Sequence, residues 1–123
     1  MGMKNDKKIV LLVDDSILIL ERMIPMLQGA PGIELVVHAG NYKEAICILE
    51  CLQPDLILLD IHLPDKSGIE LLQFVHANYQ QIIVFMMTTD ATDQYREACA
   101  RFGAQRFFDK ATEFEGLTEA VSA

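Results

Sequence analysis

Residues 54–68 read PDLILLDIHLPDKSG. Four apolar residues, Leu56 to Leu59, run unbroken into Asp60, with Pro54 before them and Pro64 and Gly68 after. A run this short between chain-breaking residues predicts a buried strand rather than a helix. A strand that is apolar at every position has no polar face to turn to water. It needs cover on both faces, which a parallel sheet flanked by helices provides.

Reading outward from this strand gives the same unit again and again. Upstream, residues 8–13 form another apolar run. Ile17, Leu20, Ile24 and Leu27 then recur at helical spacing, with Ser16 placed to cap the helix. Pro25 falls inside that pattern and predicts a kink or an early end. Gly29-Ala-Pro-Gly32 is a turn and 34–39 a second strand. Asn41 caps a helix with Ala45, Ile46, Leu49 and Leu52 on one face, stopped by Pro54. Downstream, 61–67 is a loop. Gly68 opens a helix that turns Leu71, Leu72 and Val75 inward. A fourth strand, 82–87, leads into Thr88-Thr89-Asp90, and a helix over 92–102 ends at Gly103. A short strand over 106–108 leads into Asp109-Lys110, and the last helix covers 113–121. Five β-α units with right-handed crossovers predict an α/β, doubly wound parallel sheet with five helices. The functional site of such a sheet lies outside the carboxyl ends of its strands.

The chain of 123 residues is the size of one domain. Its 51% hydrophobic content supplies a sizeable core and excludes disorder as the main state. Lys and Arg total 10 against 18 Asp and Glu, a net charge of −8, which repels nucleic acid and anionic lipid as direct partners. The longest apolar runs, 9–13 and 82–87, fall far short of the roughly 20 residues a membrane span requires. The N-terminal MGMKNDKKIVLLVDD is too short in apolar residues for a signal peptide, and Asp6 stands where myristoylation of Gly2 needs Ser or Thr. Cys47, Cys51 and Cys99 lack Cys-x-x-Cys spacing and read as free thiols of a reducing compartment, hence cytoplasmic. Cys47 and Cys51, one helical turn apart, are expected to be small core-facing residues. His38 and His76 have no partners at metal spacing. The pairs Met23/Met26 and Met86/Met87 are expected to fill the core.

The ends of the strands carry the chemistry. Asp14-Asp15, Asp60, Thr88-Thr89 and Asp109-Lys110 all share one rim of a parallel sheet. Taken singly, each has a structural reading: a cap, a turn-former, a solvated lysine. Three carboxylates brought together repel unless a cation joins them, and all-oxygen ligands suit Mg²⁺. A carboxylate is also a nucleophile able to form an aspartyl-phosphate, with a metal and a lysine neutralising the transferring oxygens and Thr88 donating to them. The set is suited to receiving a phosphoryl group.

With IVLLVDDS at 9–16, PDLILLDIHLPDKSG at 54–68, IIVFMMTTDA at 82–91 and GAQRFFDKATEF at 103–114 in order, the chain resembles the response-regulator receiver domain of two-component signalling, of the chemotaxis-receiver kind. The resemblance implies a flavodoxin-like sheet of order 2-1-3-4-5 and a single receiver domain over 1–123, with its core at about 8–120. It implies Asp60 as phosphoacceptor, and Asp15 as direct Mg²⁺ ligand with Asp14 acting through water. The backbone carbonyl of His62 is then the third protein ligand. Lys110 matches the lysine that pairs with the acceptor, Thr88 the switch hydroxyl and Phe107 the switch aromatic. Ala111 stands where relatives have a proline joined by a cis bond, and a trans bond is expected here. Thr89 stands where many relatives have Ala.

The implied function is a phosphoacceptor module that assists its own phosphorylation and dephosphorylation rather than a true enzyme. Its donor is a histidine kinase or histidine phosphotransfer protein. Its output is a changed surface of the fourth helix, fifth strand and fifth helix, read by a downstream protein or an attached output domain. The chain is then either a stand-alone receiver or the first domain of a longer regulator. His62 and Asp90, two residues past the acceptor and the switch hydroxyl, are expected to tune dephosphorylation, with Asp90 orienting the attacking water. A haloacid-dehalogenase-type phosphohydrolase would carry a general acid where His62 stands. A flavin carrier would need a phosphate-cradling loop where Asp14-Asp15 stands. A docking module that is never phosphorylated has no use for so acidic a cluster.

Overall fold

A computed structural model describes residues 7–123, so the reading of Gly2 and Asp6 lies outside the described residues. Strands and helices alternate: β1 (Lys8–Val13), α1 (Ile17–Gln28), β2 (Ile33–Ala39), α2 (Tyr42–Cys51), β3 (Leu56–Asp60), α3 (Gly68–Asn78), β4 (Ile83–Thr88), α4 (Asp93–Arg101), β5 (Arg106–Asp109) and α5 (Phe114–Ser122). The strands pair in parallel in the order β2-β1-β3-β4-β5. The order reverses between β1 and β3, which opens the crevice above their carboxyl ends.

The unbroken apolar runs have the cause anticipated for them. Leu11, Val13, Ile57, Leu59, Val84 and Met86 point to one face, onto Leu49 of α2, Leu71, Leu72 and Val75 of α3, and Cys99 of α4. Val10, Leu12, Leu56, Leu58, Phe85 and Met87 point to the other, onto Met23 and Leu27 of α1 and Phe114, Leu117 and Val121 of α5. Every position of β3 is buried, because both faces are covered.

The caps expected at Ser16 and Asn41 are present, and Ser67 supplies a further one. Ser16 accepts from the Ile19 amide, Asn41 from the Glu44 amide, and Ser67 forms a capping box with Glu70. Two readings are corrected. α1 does not end at Pro25 but runs on to Gln28. Pro25 and Glu21 are both exposed, so the carbonyl that Pro25 leaves unpaired one turn back has access to water. The buried side of α1 is carried by Met23 and Leu27, while Ile17 is 70% and Leu18 77% exposed. Cys47 and Cys51 are exposed rather than core-facing. Ala45 and Leu49 take the inward side of α2, and two residues further along a helix lies about 200° around, on the opposite side. His38 and His76 are exposed. Met23, Met86 and Met87 are buried and Met26 half-buried.

Candidate functional site

The backbone ladders bring four chain segments to one rim. Asp14 directly follows β1, and its amide donates to Ala39 O at 3.0 Å, prolonging the β1–β2 ladder. Asp60 ends β3 opposite Met87. Thr88 ends β4 opposite Asp109, and its carbonyl accepts the Lys110 amide at 2.9 Å. Among the described residues the buried polar or charged ones are Asp14, Asp60, Thr88 and Lys110. All four stand at this rim. Burying a charge is costly unless it is paired.

Lys110 does the pairing. Its Nζ donates to Asp14 Oδ2 at 2.5 Å and to Asp60 Oδ2 at 3.1 Å. The free oxygens take backbone amides: Asp14 Oδ1 accepts from Ser16 N at 2.8 Å, and Asp60 Oδ1 from His62 N at 3.3 Å. Asp15 is exposed, yet a carboxylate oxygen of each of Asp14, Asp15 and Asp60 lies within 4.8 Å of the others. Three carboxylates against one ammonium leave an excess of two negative charges when all are ionised. That excess and the all-oxygen donor set fit a hard divalent cation such as Mg²⁺. Burial pushes the Asp60 carboxyl above its ordinary range, and the Asp14 charge pushes it the same way. Lys110 and the His62 amide pull it back only in part.

The adjacent threonines separate cleanly. Thr88, the last residue of β4, is buried, and Thr89, just past the strand end, is exposed. Thr88 Oγ1 accepts from the Asp90 amide at 3.1 Å, which leaves its own proton to donate elsewhere.

The loop after β3 turns back tightly. The Gly68 amide donates to Ile61 O at 2.6 Å, and His62 bridges antiparallel to Ser67. A Cβ at Gly68 would stand 1.9 Å from Asp60 O, so only glycine permits this return. The His62 side chain is exposed. Its Nε2 lies 3.7 Å from Asp90 Oδ2, and its ring meets Tyr95 edge-on at 5.6 Å. Phe107, on β5, is half-buried under the Arg96 guanidinium, 4.8 Å from the ring centroid. Arg96 also pairs with Glu113 at 3.1 Å. All peptide bonds among the described residues are trans, including the one before Ala111.

Two contacts escaped the sequence reading. Asp65, at the tip of the loop after β3, accepts the amides of Tyr42 and Lys43 at 2.9 and 3.0 Å. Arg96 covers Phe107 from α4. Both join residues far apart in the chain, so no local pattern signals them.

The fold and this buried acid–lysine cluster define a phosphoacceptor module on a flavodoxin-like sheet. Residues 10–122 match the response regulator receiver domain, and the chain belongs to that family, the receivers of two-component signalling. The membership sets aside the phosphohydrolase and flavin-carrier alternatives. A protein-glutamate methylesterase/protein-glutamine glutaminase of Treponema pallidum is 35% identical over 111 residues, 88% of this chain and 28% of the relative. The transcriptional regulatory protein DpiA of Escherichia coli is 32% identical over 114 residues, 92% of this chain and 50% of the relative. The chain thus spans half or less of the length of these curated relatives. The crystal structure of a CheY-like response regulator receiver domain protein from Methanospirillum hungatei superposes with a TM-score of 0.82 at 28% identity, covering 94% of this chain and 90% of the other. No helix among the described residues is long and apolar enough to cross a membrane.

Proposed function

We propose that Asp60 takes a phosphoryl group from the phosphohistidine of a histidine kinase or histidine phosphotransfer protein. One observation carries the reading: the buried polar or charged side chains among the described residues converge at the rim where Asp60 ends β3. An Asp60 carboxylate oxygen attacks phosphorus, the phosphorus–nitrogen bond breaks, and the electron pair leaves with the donor imidazole. Asp15, Asp60 and the His62 carbonyl would hold Mg²⁺ directly and Asp14 through water; bound there, the ion supplies positive charge to the phosphoryl oxygens. Lys110 passes from its carboxylate partners to a phosphoryl oxygen. Thr88 donates its free proton to another, and Phe107 turns into the space that Thr88 vacates. The face made by α4, β5 and α5 changes in consequence, and a partner protein or an attached output domain reads it. His62 and Asp90 flank the solvent side of the site and set how long the group persists.

The donor approaches over the rim, where Ile17 and Leu18 in the first turn of α1 offer an apolar landing beside Asp15. The net charge of −8 and the absence of Cys-x-x-Cys spacing support a cytoplasmic protein-binding role without direct nucleic-acid contact, with residues 1–123 acting as one domain. Acetyl phosphate with Mg²⁺ tests the acceptor. The intact mass should rise by one phosphate, and Asp60→Asn should abolish the gain. Equal labelling of the variant would overturn the assignment.

A further inference from the structure

The loop of residues 61–67 carries the His62 carbonyl, and its two ends are closed by the Gly68–Ile61 bond and the His62–Ser67 bridge. Its tip is held from elsewhere. Asp65 Oδ1 accepts the Tyr42 amide at 2.9 Å and Oδ2 the Lys43 amide at 3.0 Å, two of the unpaired donors that open α2. The third, Glu44 N, is taken by Asn41 at 2.8 Å. Asp65 Oδ1 also accepts the Lys66 amide at 3.0 Å, and the Lys66 ammonium lies 4.8 Å from the Tyr42 ring centroid. Desolvation is the largest single influence on the Asp65 carboxyl and pushes it up, but the amides together outweigh it and hold the group below the usual carboxylate range. A charged acceptor on two helix-opening amides is a strong tether, helped by the helix dipole.

We propose that Asp65 is a positioning residue for the divalent-cation site: by clasping the loop tip to the start of α2 it fixes the loop that presents the His62 carbonyl. Asp65 touches neither the cation nor the phosphoryl group. It acts through the backbone, three residues away, by restricting where the carbonyl stands before the cation arrives. Preorganisation of this kind raises affinity because less order is lost on binding. The inference rests on the reading of the rim as a Mg²⁺ site.

A merely structural role for Asp65 would consist of capping α2, and Asn41 supplies the control because it caps the same helix without touching the loop. Asp65→Ala, Asp65→Asn and Asn41→Ala are compared by thermal melting without metal, by Mg²⁺ titration followed by NMR, and by amide exchange at Tyr42 and Lys43. Asp65→Ala should weaken Mg²⁺ binding by about fivefold or more and speed exchange at both amides. Asp65→Asn, which retains one acceptor, should fall between Asp65→Ala and wild type. Asn41→Ala should lower the melting temperature but leave Mg²⁺ affinity within twofold of wild type. Unchanged affinity in Asp65→Ala, or an equal loss in Asn41→Ala, overturns the proposal. A wild-type protein that fails to bind Mg²⁺ overturns instead the reading on which it rests.

Discussion

Lys110 stands closer to Asp14, at 2.5 Å, than to Asp60, at 3.1 Å. One buried ammonium thus serves two buried carboxylates, and Asp60, the proposed acceptor, is the more loosely held. Removing the ammonium leaves two like charges facing each other with little water to screen them. Breaking a buried pair in this way costs about 3–5 kcal/mol. Lys110→Ala should therefore melt at a clearly lower temperature in metal-free buffer, and Mg²⁺ at millimolar concentration should restore part of the loss. A variant that melts with the wild type without metal would show that the pair contributes nothing.

The Asp60 carboxyl lies above its ordinary value of 3.8 because of burial first and the Asp14 charge second. A raised acid favours the folded state most when protonated. Its contribution is complete below the unfolded value and is lost as pH rises through the folded one. Asn cannot ionise and so escapes that loss. Without metal, Asp60→Asn should melt above wild type at neutral pH, and the gap should close as the pH approaches 4. Melting curves across that range decide it, and a gap that stays constant or reverses would contradict the raised value.

Most of the fold was legible because burial on both faces leaves a plain mark: β1, β3 and β4 are apolar at nearly every position. The rim residues were legible for a related reason. Asp14, Asp60, Thr88 and Lys110 interrupt apolar runs at the points where strands stop, and polar residues there need a partner. Periodicity failed where a helix is apolar on more than one side. Ile17 shares the helical spacing of Leu27 yet is exposed, while Leu27 and Met23 take the inward side expected of them. Cys47 and Cys51 misled because small thiols suit a core, whereas Ala45 and Leu49 already fill it. The clasp between Asp65 and the start of α2, 22 and 23 residues away, belongs to tertiary structure alone.

Ile17 and Leu18 are mostly exposed, and the proposed donor landing on them can be tested directly. Replacing both with Ser should slow phosphoryl transfer from a protein donor by about thirtyfold, if each loses about 1 kcal/mol of apolar contact. Acetyl phosphate makes no such contact, and its rate should stay within twofold of wild type. Loss of both rates together would mean that the site itself was damaged, and loss of neither that the donor lands elsewhere.

The thiols offer a direct check of the packing. Burial pushes the Cys99 thiol up to about 11, while Cys47 and Cys51 are exposed. The thiolate is the reactive form. A thiol reagent at pH 8 should therefore modify two cysteines per native chain and the third only after unfolding, as read by intact mass. Rapid modification of all three would show α4 opening from the sheet.

On the proposed reading, the lifetime of the phosphorylated state depends on Asp90. Its amide is fixed by the Thr88 hydroxyl at 3.1 Å, and its carboxylate lies 3.7 Å from His62 Nε2, on the solvent side of the rim. Water that attacks in line with the phosphorus–oxygen bond arrives from that side. A carboxylate there can orient the water and accept its proton, although as an exposed group it should fall well short of the roughly 10²–10⁴-fold of a fully engaged base. In the proposed mechanism Thr88 turns towards the phosphoryl group to donate its proton, and its bond to the Asp90 amide would tie the two motions together. Asp90→Ala should lengthen the phosphoryl lifetime about threefold or more, followed as the decay of phosphorylated protein after the donor is removed. His62→Ala frees the Asp90 carboxylate from its neighbour and should change the lifetime less. An Asp90→Ala half-life equal to or shorter than the wild-type value would show that Asp90 takes no productive part in hydrolysis.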